Sequence, residues 1–359
     1  MSFIQSASEP SVKPASRDSH IDTVKFLLIL SIFIFHTGEP AGILYTFVNR
    51  YQVAIFFLVS GFWALNRTDR SPRQFLLDAF RKYLVYWIFW VVIYAAYHTV
   101  ADSYTFRQSV SVFIRYFSGV RATGIQGMWF TPAFFFVSFL YFLLAEAISG
   151  IFKVSRQALA WICCCVFFGI YYVTKYFYIV PVNLIFSLGF VLEYLFYYSL
   201  GTVLYIYLCG WKTKIKTSVS LKMASCFITL LSVVCFLLMY FKLESVIWGW
   251  IPNVFAGRLS VFSELVTVLL MFVFVSCIAR CISNDFTAKI GRNTLGLCHC
   301  EAFAKELLAF GGSLVGLTVK PSNPVETLIF AFAALVFGCY VILPVTDAAT
   351  KRVLSVNGK

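Results

Sequence analysis

Apolar residues gather in ten long runs, at roughly 22–40, 48–65, 83–100, 128–148, 158–174, 182–208, 223–241, 259–282, 290–310 and 327–346, joined by short polar links. A helix needs about 20 residues to cross the hydrocarbon of a bilayer, within a range of about 17–25, and most runs meet that length. The pattern predicts an all-α fold: a polytopic membrane helix bundle of about ten transmembrane helices. The first and ninth runs carry polar residues, so both are expected to pack inside the bundle, away from lipid. Residues 1–21 are polar and read as a cytoplasmic tail, 22–346 as the transmembrane domain, and 347–359 as a second cytoplasmic tail. The apolar core of the first run, Val24 to Phe35, is followed by His36-Thr37-Gly38-Glu39-Pro40 and not by a small-x-small cleavage site, so the run reads as a retained helix and not a signal peptide.

Composition sharpens this picture. The chain is 60% hydrophobic and 13% charged, against about 45–50% and about 25% in a soluble domain. Its net charge of +13 follows from topology. With the N-terminus inside, the 29 Lys and Arg divide twenty to nine in favour of the cytoplasmic links, as the positive-inside bias requires. An even number of spans puts both termini in the cytoplasm. No basic stripe with interleaved aromatics stands on a polar segment, so the expected partner is the lipid bilayer and no nucleic acid. Most of the 11 cysteines sit inside apolar runs, where cysteine behaves as a small hydrophobe. Cys298-His299-Cys300 suggests a ligand cluster, but successive helical residues point about 100° apart, and no metal is expected there.

Charges within membrane helices are costly, and each marks a candidate site. Asp22 and Lys25 are three apart and can pair on one face of the first helix. Eleven helical steps from Lys25 to His36 come within roughly 20° of whole turns, which puts both on one stripe about 16 Å apart along the axis. Glu39, one turn further on, is placed to hold the imidazole. The competing reading is that His36 merely hydrogen-bonds a neighbouring helix. Arg67 and Arg70 need no explanation beyond the positive-inside bias. Arg81 and Lys82 abut the apolar run at Tyr83, where a guanidinium can grip a phosphate bidentately. Glu146, Glu193, Glu264, Glu301 and Lys305 complete the set. Glu301 and Lys305 are four apart and read as a self-neutralising structural pair, and Glu193 as the lining of a cavity.

Several of these positions fall in motifs. Asp22-Thr23-Val24-Lys25, followed at the family's spacing by His36, resembles the first-helix signature of the acyltransferase-3 family of membrane acyltransferases. Phe56-Phe57 leading to Ser60-Gly61-Phe62 looks like its second-helix motif. Arg81-Lys82-Tyr83-Leu84-Val85-Tyr86-Trp87 is similar to its Arg-x-x-Leu-x-Pro-Tyr segment, without the proline. Met128-Trp129-Phe130 resembles its Leu-Trp-Phe-Leu, and Gly291-Arg292-Asn293-Thr294-Leu295 its Gly-Lys-x-Ser-Leu. One departure stands out: where the family often has Tyr-x-x-His, this chain has Cys298-His299-Cys300-Glu301, so the usual histidine position holds Glu301.

The resemblance implies transfer of an acyl group, usually acetyl from acetyl-CoA, to a hydroxyl of a bacterial surface glycan (O-antigen, capsule or exopolysaccharide) or its lipid-linked form, at the inner membrane. Acetyl-CoA enters as donor substrate, with no metal. A sugar hydroxyl is a poor nucleophile near neutral pH, and a neutral imidazole that takes its proton is typically worth about 10²–10⁴-fold. On this reading His36 is the base and Glu39 orients it. Lys25, Arg81 and Lys82 hold CoA, while Asp22, Ser60 and Trp129 support the site. The rival class is a transporter or flippase for a lipid-linked glycan or small solute, which predicts paired halves with broken helices at matching positions.

Overall fold

A computed structural model describes residues 18–49, 51–67, 71–120, 127–177, 184–215, 219–240, 253–316 and 320–348. Most of both predicted tails, together with Arg70, lies outside them. Among the described residues the chain is helical and contains no strand. A lipid solvent imposes this outcome, because every backbone N–H and C=O must be satisfied within its own segment.

In chain order the helices are α1 (Ser19–Phe35), α2 (Ile43–Asn49), α3 (Gln52–Gly61), α4 (Pro72–Ala79), α5 (Tyr86–Ala101), α6 (Phe106–Phe117) and α7 (Phe130–Ile151). They continue as α8 (Arg156–Phe177), α9 (Leu188–Ile215), α10 (Val219–Tyr240), α11 (Asn253–Ile282), α12 (Asp285–Arg292), α13 (Thr294–Leu314) and α14 (Pro324–Phe337). Side chains close several N-termini. Asp18 accepts from the His20 amide ahead of α1, Ser71 from Gln74 ahead of Pro72, and Asn284 from Thr287 ahead of α12, each satisfying an amide that has no intrahelical partner.

Seven helical stretches among the described residues are long and apolar enough to cross a membrane: Ile43–Gly61, Pro72–Ala101, Phe130–Ile151, Arg156–Lys175, Ile185–Leu208, Phe262–Ile282 and Pro324–Ala348. The other three predicted spans correspond to α1, α10 and α13. α1 is 17 residues long, and the apolar part of α10 is Cys226–Leu238. α1 packs against α2, α3, α11, α12, α13 and α14, with Val24, Leu28, Ile29 and Phe33 fully buried. α13 is buried over its first half, from Thr294 to Ala304. Both polar-bearing helices therefore occupy the interior.

Glycines set the closest approaches. A Cβ on Gly61 would collide with the Tyr198 carbonyl, and one on Gly201 with the Leu58 carbonyl, so α3 and α9 cross backbone against backbone. Gly291 of α12 meets the Asp22 carbonyl of α1 in the same way. Small residues at such crossings let membrane helices gain dispersion contacts where lipid supplies no hydrophobic drive. The start of α1 is further tied down by Thr23, whose hydroxyl lies 3.1 Å from that of Thr287 and 3.2 Å from that of Ser283.

Candidate active site

α1 ends at Phe35, and His36 is its C-cap: the His36 amide donates to the Ile32 carbonyl and the Thr37 amide to the Ile34 carbonyl. The chain then reverses at Gly38, whose φ of 77° is in the left-handed region that favours glycine. This reversal carries Glu39 into a separate 3₁₀ turn, Glu39–Ala41, on the exposed surface. The expectation that Glu39 would hold the imidazole assumed a continuing helix. The structure corrects it: the carboxylate partner of His36 is Glu301 of α13.

His36 Nδ1 lies 2.7 Å from Glu301 Oε2, and Lys305 Nζ lies 2.7 Å from Glu301 Oε1. Lys305 also donates to the Phe33 carbonyl at 2.8 Å, in the last turn of α1. The predicted i,i+4 pair thus exists and has a third member. These lengths are those of charge-assisted bonds. A carboxylate can only accept, so Nδ1 carries the proton and donates it, and in the neutral ring the lone pair is on Nε2. Among the described residues Nε2 has no hydrogen-bond partner. The Glu301 side chain is 1% exposed, against 11% for His36 and 13% for Lys305. The acid is sealed behind the ring, and the ammonium compensates its charge.

Gly127 closes one side of this group. Its φ is +88°, and an added Cβ would lie 2.9 Å from the Cys298 carbonyl, 3.4 Å from Glu301 Oε2 and 3.7 Å from His36 Cε1. Backbone alone therefore fits here. Two residues on, Trp129 packs its ring against Phe190 at 5.4 Å and Tyr194 at 6.2 Å, while Tyr194 stacks on Phe57 at 4.5 Å. These contacts explain the Trp-Phe and Phe-Phe motifs as the packing that holds the Gly127 turn against the dyad. Ser60 stands beside the Gly61 crossing on α3, away from any polar contact with the dyad.

A cleft of about 300 Å³ lies at the N-terminal end of α13, lined by Arg81, Lys82, Tyr86, Arg292, Leu295 and Asp347 among others. Three cations face one carboxylate. Arg81 and Lys82 belong to a π-helical stretch, Phe80–Val85, between α4 and α5. A second π-helical stretch, Gly338–Ile342, directly precedes the lining residue Leu343. Such wide turns recur at functional sites because they re-aim side chains. Arg292 sits in a recognised motif, and its charge beside a helix end carries no site signal of its own in the sequence. Lys25 does not line the cleft: its ammonium stands 5.0 Å from the Trp63 ring centroid. Asp22 is buried at 2% exposure on the same turn.

His299, two residues before Glu301 on α13, meets the cleft residue Tyr86 edge-on at 5.3 Å and bonds Thr131 of α7 through Nε2 at 2.9 Å. From Leu295 to Glu301 is six helical steps, about 9 Å of axial rise. Of the remaining candidates, Glu193 and Glu264 both pair with Lys175, at 3.0 and 3.5 Å, and tie α8, α9 and α11 together.

The family model described as an acyltransferase domain, acyltransferase 3, matches residues 18–344. No curated protein and no solved structure matches the chain. The matched region runs from the N-cap of α1 to the wall of the cationic cleft and contains both halves of the dyad, and the chain belongs to the acyltransferase-3 family of membrane acyltransferases.

Proposed function

We propose that this protein moves an acetyl group from acetyl-CoA to a hydroxyl of a cell-surface or lipid-linked glycan at the bacterial inner membrane. The observation that carries this reading is the Lys305–Glu301–His36 chain at 2.7 Å per link, with the cationic cleft one short stretch of α13 away. It supplies a base with a fixed tautomer and, within reach of it, charges that suit a polyphosphate.

In this reading Arg81, Lys82 and Arg292 hold the CoA phosphates from the cytoplasmic side, the side on which the positive-inside bias puts them. The pantetheine arm runs past Tyr86 and His299 toward His36. The acceptor hydroxyl oxygen attacks the thioester carbonyl carbon while His36 Nε2 takes the hydroxyl proton. The tetrahedral adduct collapses, the C–S bond breaks, and the CoA thiolate leaves and receives that proton from the imidazolium. Glu301 keeps its bond to Nδ1 throughout and stabilises the charged ring, the role of the acid in a Ser-His-Asp triad.

The test uses the purified protein in proteoliposomes with acetyl-labelled acetyl-CoA and lipid-linked glycan from cells carrying the gene. The label is expected to move to the glycan, and His36→Ala is expected to lower transfer at least about 10²-fold while eluting as folded protein. Transfer undiminished in His36→Ala, or glycan transport without any acetyl transfer, would overturn the proposal and favour the transporter.

A further inference from the structure

The turn of α13 that carries Glu301 is tied to a side chain from another helix. Tyr94 of α5 is fully buried. Its hydroxyl donates to the His299 carbonyl at 3.0 Å and accepts from the Phe303 amide at 2.9 Å. Those are the two groups that an uninterrupted helix would bond to each other, residue i to residue i−4. Glu301 lies midway between them. The phenol is fixed in turn by Trp90, 5.8 Å away between ring centroids, and by Phe303 at 6.3 Å.

A hydroxyl that bonds both a ladder donor and its acceptor competes with the bond between them, and a side chain inserted into the ladder is a recognised cause of helix bending. Here that turn also presents the Cys298 carbonyl to Gly127 and the Glu301 carboxylate to His36. We propose that Tyr94 is a positioning residue, which sets the reach of Glu301 to His36 through the backbone of α13 without touching either side chain. The inference rests on the reading of His36 as the base and adds the element that sets its alignment.

Removal of the hydroxyl leaves the His299 carbonyl and the Phe303 amide able to bond to each other, so Tyr94→Phe is expected to fold. The turn then tightens and Glu301 moves relative to a ring fixed on α1. Misplacement of a catalytic group by about 1 Å can cost about 10²-fold. The expected result for Tyr94→Phe is a kcat lower by about 10- to 100-fold, with the KM values for acetyl-CoA and acceptor unchanged and the same elution as folded protein. In a Glu301→Gln background, Tyr94→Phe is expected to have no further effect, because contributions made through one group do not add.

A Tyr94→Phe variant with wild-type kcat overturns the proposal, as does a double variant that loses the Tyr94 factor again below Glu301→Gln. His36→Ala assayed in parallel separates the two claims. If it retains activity the site reading fails. If it is inactive while Tyr94→Phe is normal, only the positioning role fails.

Discussion

Glu301→Gln changes one oxygen to an amide nitrogen and leaves the volume of the site intact, so its effect reports the chemistry of the dyad. The carboxylate accepts from His36 Nδ1 and from Lys305 Nζ, both at 2.7 Å. A glutamine has one oxygen for these two donors. Lys305 cannot accept, so the amide oxygen must turn to Lys305 and the amide NH₂ must face His36. Nδ1 then has to accept, the proton moves to Nε2, and the nitrogen that should take the substrate proton is blocked. The corresponding Asp→Asn change in a serine protease lowers kcat by about 10⁴. A loss of about 10³ here corresponds to about 4 kcal/mol of transition-state stabilisation at 1.36 kcal/mol per decade. Removing one partner of a buried ion pair also costs about 3–5 kcal/mol of stability, an upper range here because Lys305 keeps its bond to the Phe33 carbonyl. The assay is acetyl transfer per mole of folded protein, with melting followed alongside. Glu39→Gln, at an exposed position, is the control and should leave both unchanged. A Glu301→Gln enzyme within threefold of wild type, or a comparable loss in Glu39→Gln, would refute the assignment of Glu301.

Three further outcomes follow from the packing and the cleft. Gly127→Ala should lower activity sharply and cost about 1–3 kcal/mol of stability, because its φ of +88° and the Cys298 carbonyl 2.9 Å from the new Cβ both oppose a side chain; transfer assays and melting read the two effects. Gly201→Ala should prevent folded protein from accumulating, since its Cβ would meet the Leu58 carbonyl on α3; size-exclusion profiles from detergent extracts check this, and Gly169→Ala, with nothing within 4 Å of an added Cβ, should behave as wild type. Arg292→Ala should raise the KM for acetyl-CoA by about 10- to 100-fold, the worth of a charge-assisted bond of about 1.5–3 kcal/mol, with kcat little changed; initial-rate kinetics at varied donor concentration measure it.

How much of this was legible along the chain differs from residue to residue. His36 stood out because an ionisable ring in an apolar run is costly, and Arg81 and Lys82 because they border one. Their candidacy needed only local sequence. Glu301 was visible as a charge, and its place where relatives carry histidine was a signal, but its pairing with Lys305 satisfied the local rules and hid its third contact. Glu39 fitted the helical spacing and failed because Gly38 ends that spacing. Arg292 lies within a recognised motif, and only its arrival in the same cleft as Arg81 makes it a candidate.

Hydrophobic run length and the chemistry of lipid determine the elements themselves: a bundle of helices, without strands among the described residues. Periodicity relates a residue to neighbours three, four or seven positions away, because those share a helical face. It carries no information about a partner 265 residues distant, which is the separation of His36 and Glu301. That meeting depends on how α1 and α13 pack, on the close approaches at Gly291 and Gly127, and on the turn of α13 joined by Tyr94. Only the tertiary structure decides those, because each is set by the shapes of two surfaces at once.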